Sequence, residues 1–343
     1  HNEIEYRYKP MIFKGGKCMN IKNLLLQTFS ENLKQIIQAM EEDFLNKAEE
    51  IRIRVQKPLL IFSRQKEYFI KQDGSMTQYA ECAYIVKKED IRCILEKASR
   101  YSLYAFSEEL KNGFLTIEGG HRIGVVGKTV VENGSIKTIQ NISALNIRIS
   151  HEIKGCSDMV LQYAVKQGSF YHTLLISPPA CGKTTLLRDM VRQLSNGKKG
   201  LFMGQTVGVV DERGEIAGCY KGVAQNDVGI RTDVLDCCPK AEAMLMLVRS
   251  MSPRIIAVDE IGKKEDFVAI ESIVNAGVQL LCTVHGNDLE DIKKRMILGD
   301  MLKQGVFHTV VVLSGGKKVG EVKTIYNREL EVVYKNNEII PNV

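Results

Sequence analysis

The chain has no apolar run near the roughly 18–20 residues that a bilayer-crossing helix needs. It has no dense block of Lys and Arg in an aromatic setting. A net charge of +6 therefore permits contact with anionic lipid or nucleic acid without arguing for either. None of its nine cysteines forms a C-x-x-C pair, which argues against a structural zinc site. They read as reduced thiols of a cytosolic protein, most of them small core residues. No opening stretch shows the basic, apolar and small-residue order of a signal peptide, so no secretory leader is expected. There is no low-complexity segment and no repeat at solenoid period. What is there is an ordinary composition, 44% hydrophobic and 26% charged over 343 residues. That suits two domains, or one large one, with a sizeable buried core.

Residues 1–18 match no later pattern and are set aside as a tag or upstream extension. Apolar residues then recur at helical spacing from Ile21 to about Lys47. Short strand-like runs follow at 51–55, 58–63 and 67–71, with helices expected from Glu89 and over Leu103–Leu110. The stretch FLTIEGGHRIGVVGKTV alternates like paired strands, and Asn133-Gly134 marks a hairpin before IKTIQNISALNIRIS. This half, residues 19–150, reads as a smaller α+β domain. Beyond about residue 150 strand and helix alternate. Strands are expected at 172–177, 207–211, 255–260 and 279–285, with helices at 183–194, 241–251, 266–276 and 289–303. That order predicts a parallel sheet covered by helices over residues 151–343, closed by edge strands or a hairpin at 308–313, 322–326 and 330–334.

Four stretches carry chemistry. SPPACGKTT, Ser177, Pro178, Pro179, Ala180, Cys181, Gly182, Lys183, Thr184 and Thr185, lies between an apolar strand and an amphipathic helix. It fits a phosphate cradle. Gly182 permits close backbone approach, Lys183 meets the outer phosphates, and Thr184 offers a hydroxyl to Mg²⁺. The usual first glycine is Ser177, and Ala180 adds a methyl. RIIAVDEIG has the form of a Walker B strand, with Asp259 toward Mg²⁺ and Glu260 polarising the attacking water. QLLCTVHG ends a strand in His285, a polar group near the γ-phosphate. VVDERGEIAG puts Asp211, Glu212, Arg213 and Glu215 at a strand's carboxyl end, either beside the ligand or as ion-paired loop residues. Should Glu260 not be the base, Glu215 and then Glu212 are the candidates.

In this order, cradle, acidic box, Walker B and histidine box resemble the secretion and pilus-motor ATPase superfamily. More closely, the chain resembles the stage III sporulation AA family of endospore-forming bacteria. EIRIRVQKPL, EGGHRIGVVGK, NIRIS, PPACGKTTLLRD, VVDERGEIAG, GIRTDVLDCCPKAEAMLMLVRSMSPRIIAVDEIG and TVHG carry the resemblance, from about residue 49 to 286. It implies a RecA-like P-loop ATPase domain behind a smaller domain, using ATP and Mg²⁺ and assembled as a hexameric ring. It further implies arginines supplied across the ring, with Arg122 and Arg148 at the matching positions. A place in the mother cell, at the membrane face of a secretion-like channel and beside that channel's membrane proteins, is implied in the same way. Two other readings stand beside it. One is a nucleic-acid-binding RecA-like ATPase, weakened by the missing basic, aromatic-lined stripe. The other is a non-hydrolysing, nucleotide-gated scaffold, motivated by Ser177 and Ala180.

Overall fold

The structure is a computed structural model that describes residues 21–63, 66–99, 110, 113–179, 181–314 and 320–336. The opening eighteen residues, Ala180 and all but the last residue of the helix expected over Leu103–Leu110 lie outside them. The chain divides into two compact units: residues 1–115 with 122–148, and residues 116–121 with 149–343. No helix among the described residues is long and apolar enough to cross a membrane.

In the first unit the helix expected from Ile21 to Lys47 is three helices: α1 (Ile21–Thr28), α2 (Glu31–Ala39) and α3 (Glu42–Leu45). Ser30 makes the first break, because its hydroxyl oxygen accepts the Leu33 N–H at 3.4 Å and starts a new helix. The periodic apolar residues are still buried, Leu25, Leu33, Ile36 and Ile37 among them. The strands are β1 (Ala48–Arg54), β2 (Leu60–Ser63), β3 (Lys66–Ile70), β4 (Met76–Thr77), β5 (Phe114–Ile117), β6 (His121–Glu132) and β7 (Ser135–Arg148), and α4 (Lys88–Ala98) lies between β4 and β5. They form one sheet in the order β4-β3-β2-β1-β7-β6-β5.

The second unit begins with α5 (Asp158–Ala164), the small pair β8 (Val165–Lys166) and β9 (Ser169–Phe170), and β10 (Thr173–Ser177). Then come α6 (Lys183–Asn196), the small pair β11 (Gly197–Lys198) and β12 (Phe202–Met203), β13 (Val207–Asp211) and β14 (Thr232–Asp236). They are followed by α7 (Lys240–Met251), β15 (Ile255–Val258), α8 (Lys264–Asn275), β16 (Gln279–His285), α9 (Leu289–Lys293) and α10 (Met296–Lys303). The chain continues with β17 (Thr309–Leu313), β18 (Val322–Tyr326) and β19 (Val332–Lys335). The sheet order is β14-β13-β15-β16-β10-β17-β18-β19. The run from β14 to β17 is parallel, and β18 and β19 add on antiparallel.

The central strands are buried at every position in β10, β13, β15 and β17, as helices on both faces require. Alternate residues split between two cores. Leu175 packs with Leu186, Leu187 and Met190 of α6, whereas Leu174 and Ile176 pack with Met244 of α7, Ile270 of α8 and Leu298 of α10. The architecture is thus α/β, a largely parallel sheet between two helical layers.

In the second unit three further elements differ from the sequence reading. The segment TDVLD, not expected as a strand, is edge strand β14, parallel to β13 and only half-buried along its length. The helix expected over 289–303 is two helices, α9 and α10. HTVVVL supplies an interior parallel strand beside β10 rather than an edge. In space β16 lies between β10 and β15, and β13 lies on the far side of β15.

Candidate functional site

The site sits where β10, β15, β16 and β13 end. Ser177 is the last residue of β10, fully buried, in register with His285 of β16. Its carbonyl accepts the Gly286 N–H at 3.1 Å, and its φ is negative. Serine therefore fits here without strain, because this corner of the loop is still strand. The left-handed turn falls on Gly182, φ +84°, where an L side chain would be strained; it opens α6. Pro178 is half-buried and Pro179 exposed, and the Cys181 carbonyl accepts the Gly320 N–H at 2.9 Å, which braces the loop from outside.

Lys183, first residue of α6, points into a charged cluster. Its Nζ lies 2.8 Å from Glu260 Oε1 and 3.3 Å from His285 Nε2. Glu260 also meets His285 Nε2 at 2.9 Å and Arg213 Nη1 at 3.0 Å. Burial pushes the Glu260 carboxyl up, but the hydrogen bond and charge of Lys183, then His285 and Arg213, outweigh it and hold the group below its ordinary value. Beside it the Thr184 hydroxyl donates to Asp259 Oδ2 at 2.6 Å, and the Thr283 hydroxyl donates to Asp259 Oδ1. Burial pushes Asp259 up, against those two hydroxyls and the Lys183 charge.

Asp211 and its neighbours form the third side. Asp211, at the end of β13, spends its carboxylate on the loop: Oδ1 accepts the Glu215 N–H at 2.8 Å and Oδ2 the Ala217 N–H at 2.8 Å. Glu212 is ion-paired with Lys240 at 3.0 Å and faces Lys263 at 3.9 Å. From behind, Arg188 of α6 donates to the carbonyls of Ile216 at 2.6 Å, Glu215 at 2.5 Å and His151 at 3.0 Å. One buried guanidinium thus ties the acidic loop to α6. Asp211, Glu212, Arg213, Glu215, Lys240, Asp259 and Glu260 line one cleft of about 240 Å³, its open mouth included.

The structure so brings together Lys183, Thr184, Asp259, Glu260 and His285, with Glu212 and Glu215 along the same cleft. Thr185 is turned away. It lines a second cleft of about 200 Å³ with Glu152, Arg188, Arg192 and Asp227. Arg122 and Arg148 belong to the other unit, where they stand opposite each other on β6 and β7 and so share a face of that sheet. Arg122 lies 3.8 Å over the Phe114 ring, and Arg148 Nε is 3.7 Å from Glu50. Sequence reasoning missed Thr283 and Lys240. Thr283 was findable, since it precedes His285 by two on a strand and must share its face. Lys240 carries no sequence signal; it arrives through the packing of α7.

The donor set suits a hard cation held partly by phosphate and water. A hydroxyl and a carboxylate oxygen in contact are what Mg²⁺ takes from proteins. A lysine at the start of a helix that follows a left-handed glycine is suited to phosphate.

Comparison with known proteins agrees with this fold. Residues 19–333 match the family described as "Sporulation stage III, protein AA". Stage III sporulation protein AA of Bacillus subtilis (strain 168) is 38% identical over 317 residues, which is 92% of this chain and 99% of that protein. An uncharacterized protein, ycf45, of Porphyra purpurea is 29% identical over 62% of this chain and 36% of its own length. Among solved structures, the ATPase DotB of Yersinia pseudotuberculosis superposes with a TM-score of 0.54 at 13% identity, covering 83% of this chain and 76% of that one. DotB of Legionella pneumophila gives 0.53 at 14%, covering 82% and 75%. The pilus retraction motor PilT with bound ADP gives 0.50 at 14%, covering 89% and 82%. At these identities the likeness is one of fold.

Proposed function

The chain belongs to the family of sporulation stage III, protein AA, and from that premise we propose that it binds and hydrolyses ATP with Mg²⁺ to drive or gate a secretion-like membrane complex in endospore formation. The observation that carries this reading is the meeting of Lys183 Nζ with Glu260 at 2.8 Å beside Thr184 and Asp259 at 2.6 Å. A cation for phosphate, an oxygen pair for Mg²⁺ and a carboxylate for water thus share one corner. When bound, Mg²⁺ neutralises charge developing on the phosphate oxygens. Lys183 and the start of α6 hold the phosphates. Thr184 and Asp259 hold the ion. Glu260, kept ionised by its cationic neighbours, orients a water and takes its proton. His285, between Lys183 and Glu260, senses whether phosphate is present.

Two substitutions test the reading. Lys183→Ala removes ATP affinity in a titration, because Lys183 is the cation carried on the first turn of α6 behind Gly182, where the phosphates would sit. Glu260→Gln retains binding and lowers turnover by roughly 10²-fold or more. Binding unchanged in Lys183→Ala overturns the cradle assignment. Turnover unchanged in Glu260→Gln moves the base to Glu215 or Glu212.

A further inference from the structure

Glu260 has φ +56°, a backbone conformation that side-chain-bearing residues avoid. Three hydrogen bonds hold it there. Its N–H donates to Thr283 Oγ1 at 2.9 Å, and its carbonyl accepts Lys240 Nζ at 2.7 Å. The next N–H, of Ile261, donates to the Thr283 carbonyl at 2.9 Å. Thr283 is fully buried. A hydroxyl has one hydrogen, and here it goes to Asp259, so the oxygen's lone pairs are what receive the Glu260 N–H. The Lys240 side chain is 9% exposed and is fixed from its other side by Glu212.

We propose that Thr283 and Lys240 are positioning residues for the general base, gripping the Glu260 peptide from its N–H and carbonyl sides so that its carboxylate faces the attacking water. This rests on the reading of Glu260 as the base. The aim of the carboxylate follows its Cα–Cβ direction, which follows φ. A peptide released from the grip relaxes to negative φ and swings the side chain off line. Thr283 adds a second constraint, since the same hydroxyl binds Asp259 and sets base and metal carboxylate at a fixed spacing. Lys240 touches the Glu260 carbonyl but makes no hydrogen bond to Asp259. What the two residues have in common is therefore Glu260.

Turnover and amide exchange read this out. Thr283→Val and Lys240→Met each lower kcat by about 10- to 10²-fold and leave the KM for ATP within about threefold. Thr283→Ser, which keeps the hydroxyl, stays near the parent. Hydrogen exchange of the segment 255–262 speeds up in Thr283→Val and Lys240→Met but not in Thr283→Ser, with or without nucleotide. In a Glu260→Gln background Lys240→Met costs nothing further, and Thr283→Val costs less than in the parent, because only its hold on Asp259 is then lost. If they cost the same factor there as in the parent, the grip does not act through Glu260 and the proposal fails, while the base assignment stands. If Glu260→Gln itself turns over like the parent, the base assignment fails first and the proposal with it. Should Thr283→Val not fold, Lys240→Met carries the same comparison.

Discussion

Two buried histidines accept backbone N–H groups through Nδ1, His121 from Ser150 at 3.0 Å and His172 from Leu280 at 2.9 Å. A ring nitrogen can accept only when it carries no proton, so both bonds need a neutral imidazole. Burial, helped by the neighbouring His151 and His308, lowers each to about 4 from an ordinary 6.5. Between these values the unfolded chain takes up a proton that the folded chain refuses. Stability is therefore complete above about pH 6.5 and is lost as pH falls toward 4. For His121 the shift corresponds to roughly 3 kcal/mol at most. His121→Gln keeps an acceptor for the Ser150 N–H without titrating. Urea midpoints measured from pH 7 to 4 should fall less steeply in that variant than in the parent. Equal slopes would mean that His121 does not carry this acid sensitivity.

At the scale of elements, the strand ends explain why the proposed cradle tolerates its odd first residue. Ser177 belongs to β10 by register and by φ, and the loop's left-handed requirement begins later, at Gly182. Ser177→Gly should leave ATP affinity within about twofold and, by loosening a strand end, lower stability by up to about 1 kcal/mol. A large gain in affinity would show that the serine strains the loop. The same register shows how much of the fold the sequence made legible. The buried strands TLLIS, VGVVD, IIAV and QLLCTVH announce themselves as continuous apolar runs, and each of the first, third and fourth ends in a site residue or the residue before one. Edge strand β14 did not, because TDVLD pairs on one side only and needs no apolar alternation. The break at Ser30 hides in an unbroken apolar period, since capping is a matter of one hydroxyl rather than of pattern. Lys240 reaches Glu260 through tertiary packing, which no local spacing encodes.

At the scale of the whole molecule, the ring that the family resemblance implies makes a distinct claim on Arg122 and Arg148. They are adjacent across β6 and β7, so they present paired guanidinium groups on one sheet face. If they complete a neighbour's site, activity per subunit rises with protein concentration. Arg122→Ala chains mixed with Lys183→Ala chains then regain activity that neither has alone. An arginine supplied in this way is worth on the order of 10³ in related phosphoryl transfer. Activity independent of concentration, with no rescue on mixing, would sink the shared site.

Residues 116–121 count with the second unit, although the sequence on either side of them counts with the first. The Gly119 N–H donates to Gln225 Oε1 at 3.1 Å, and a Cβ on Gly218 would come within 2.9 Å of Gly120 Cα. The backbone therefore passes from one unit to the other after residues 115, 121 and 148, rather than once. A single junction does not part them, and a second unit excised from residue 149 onward would leave six of its own residues behind. For the same reason this pair of domains is a poor subject for module shuffling. A recombination event at residue 148 would carry over the second unit without the six residues that it draws from 116–121.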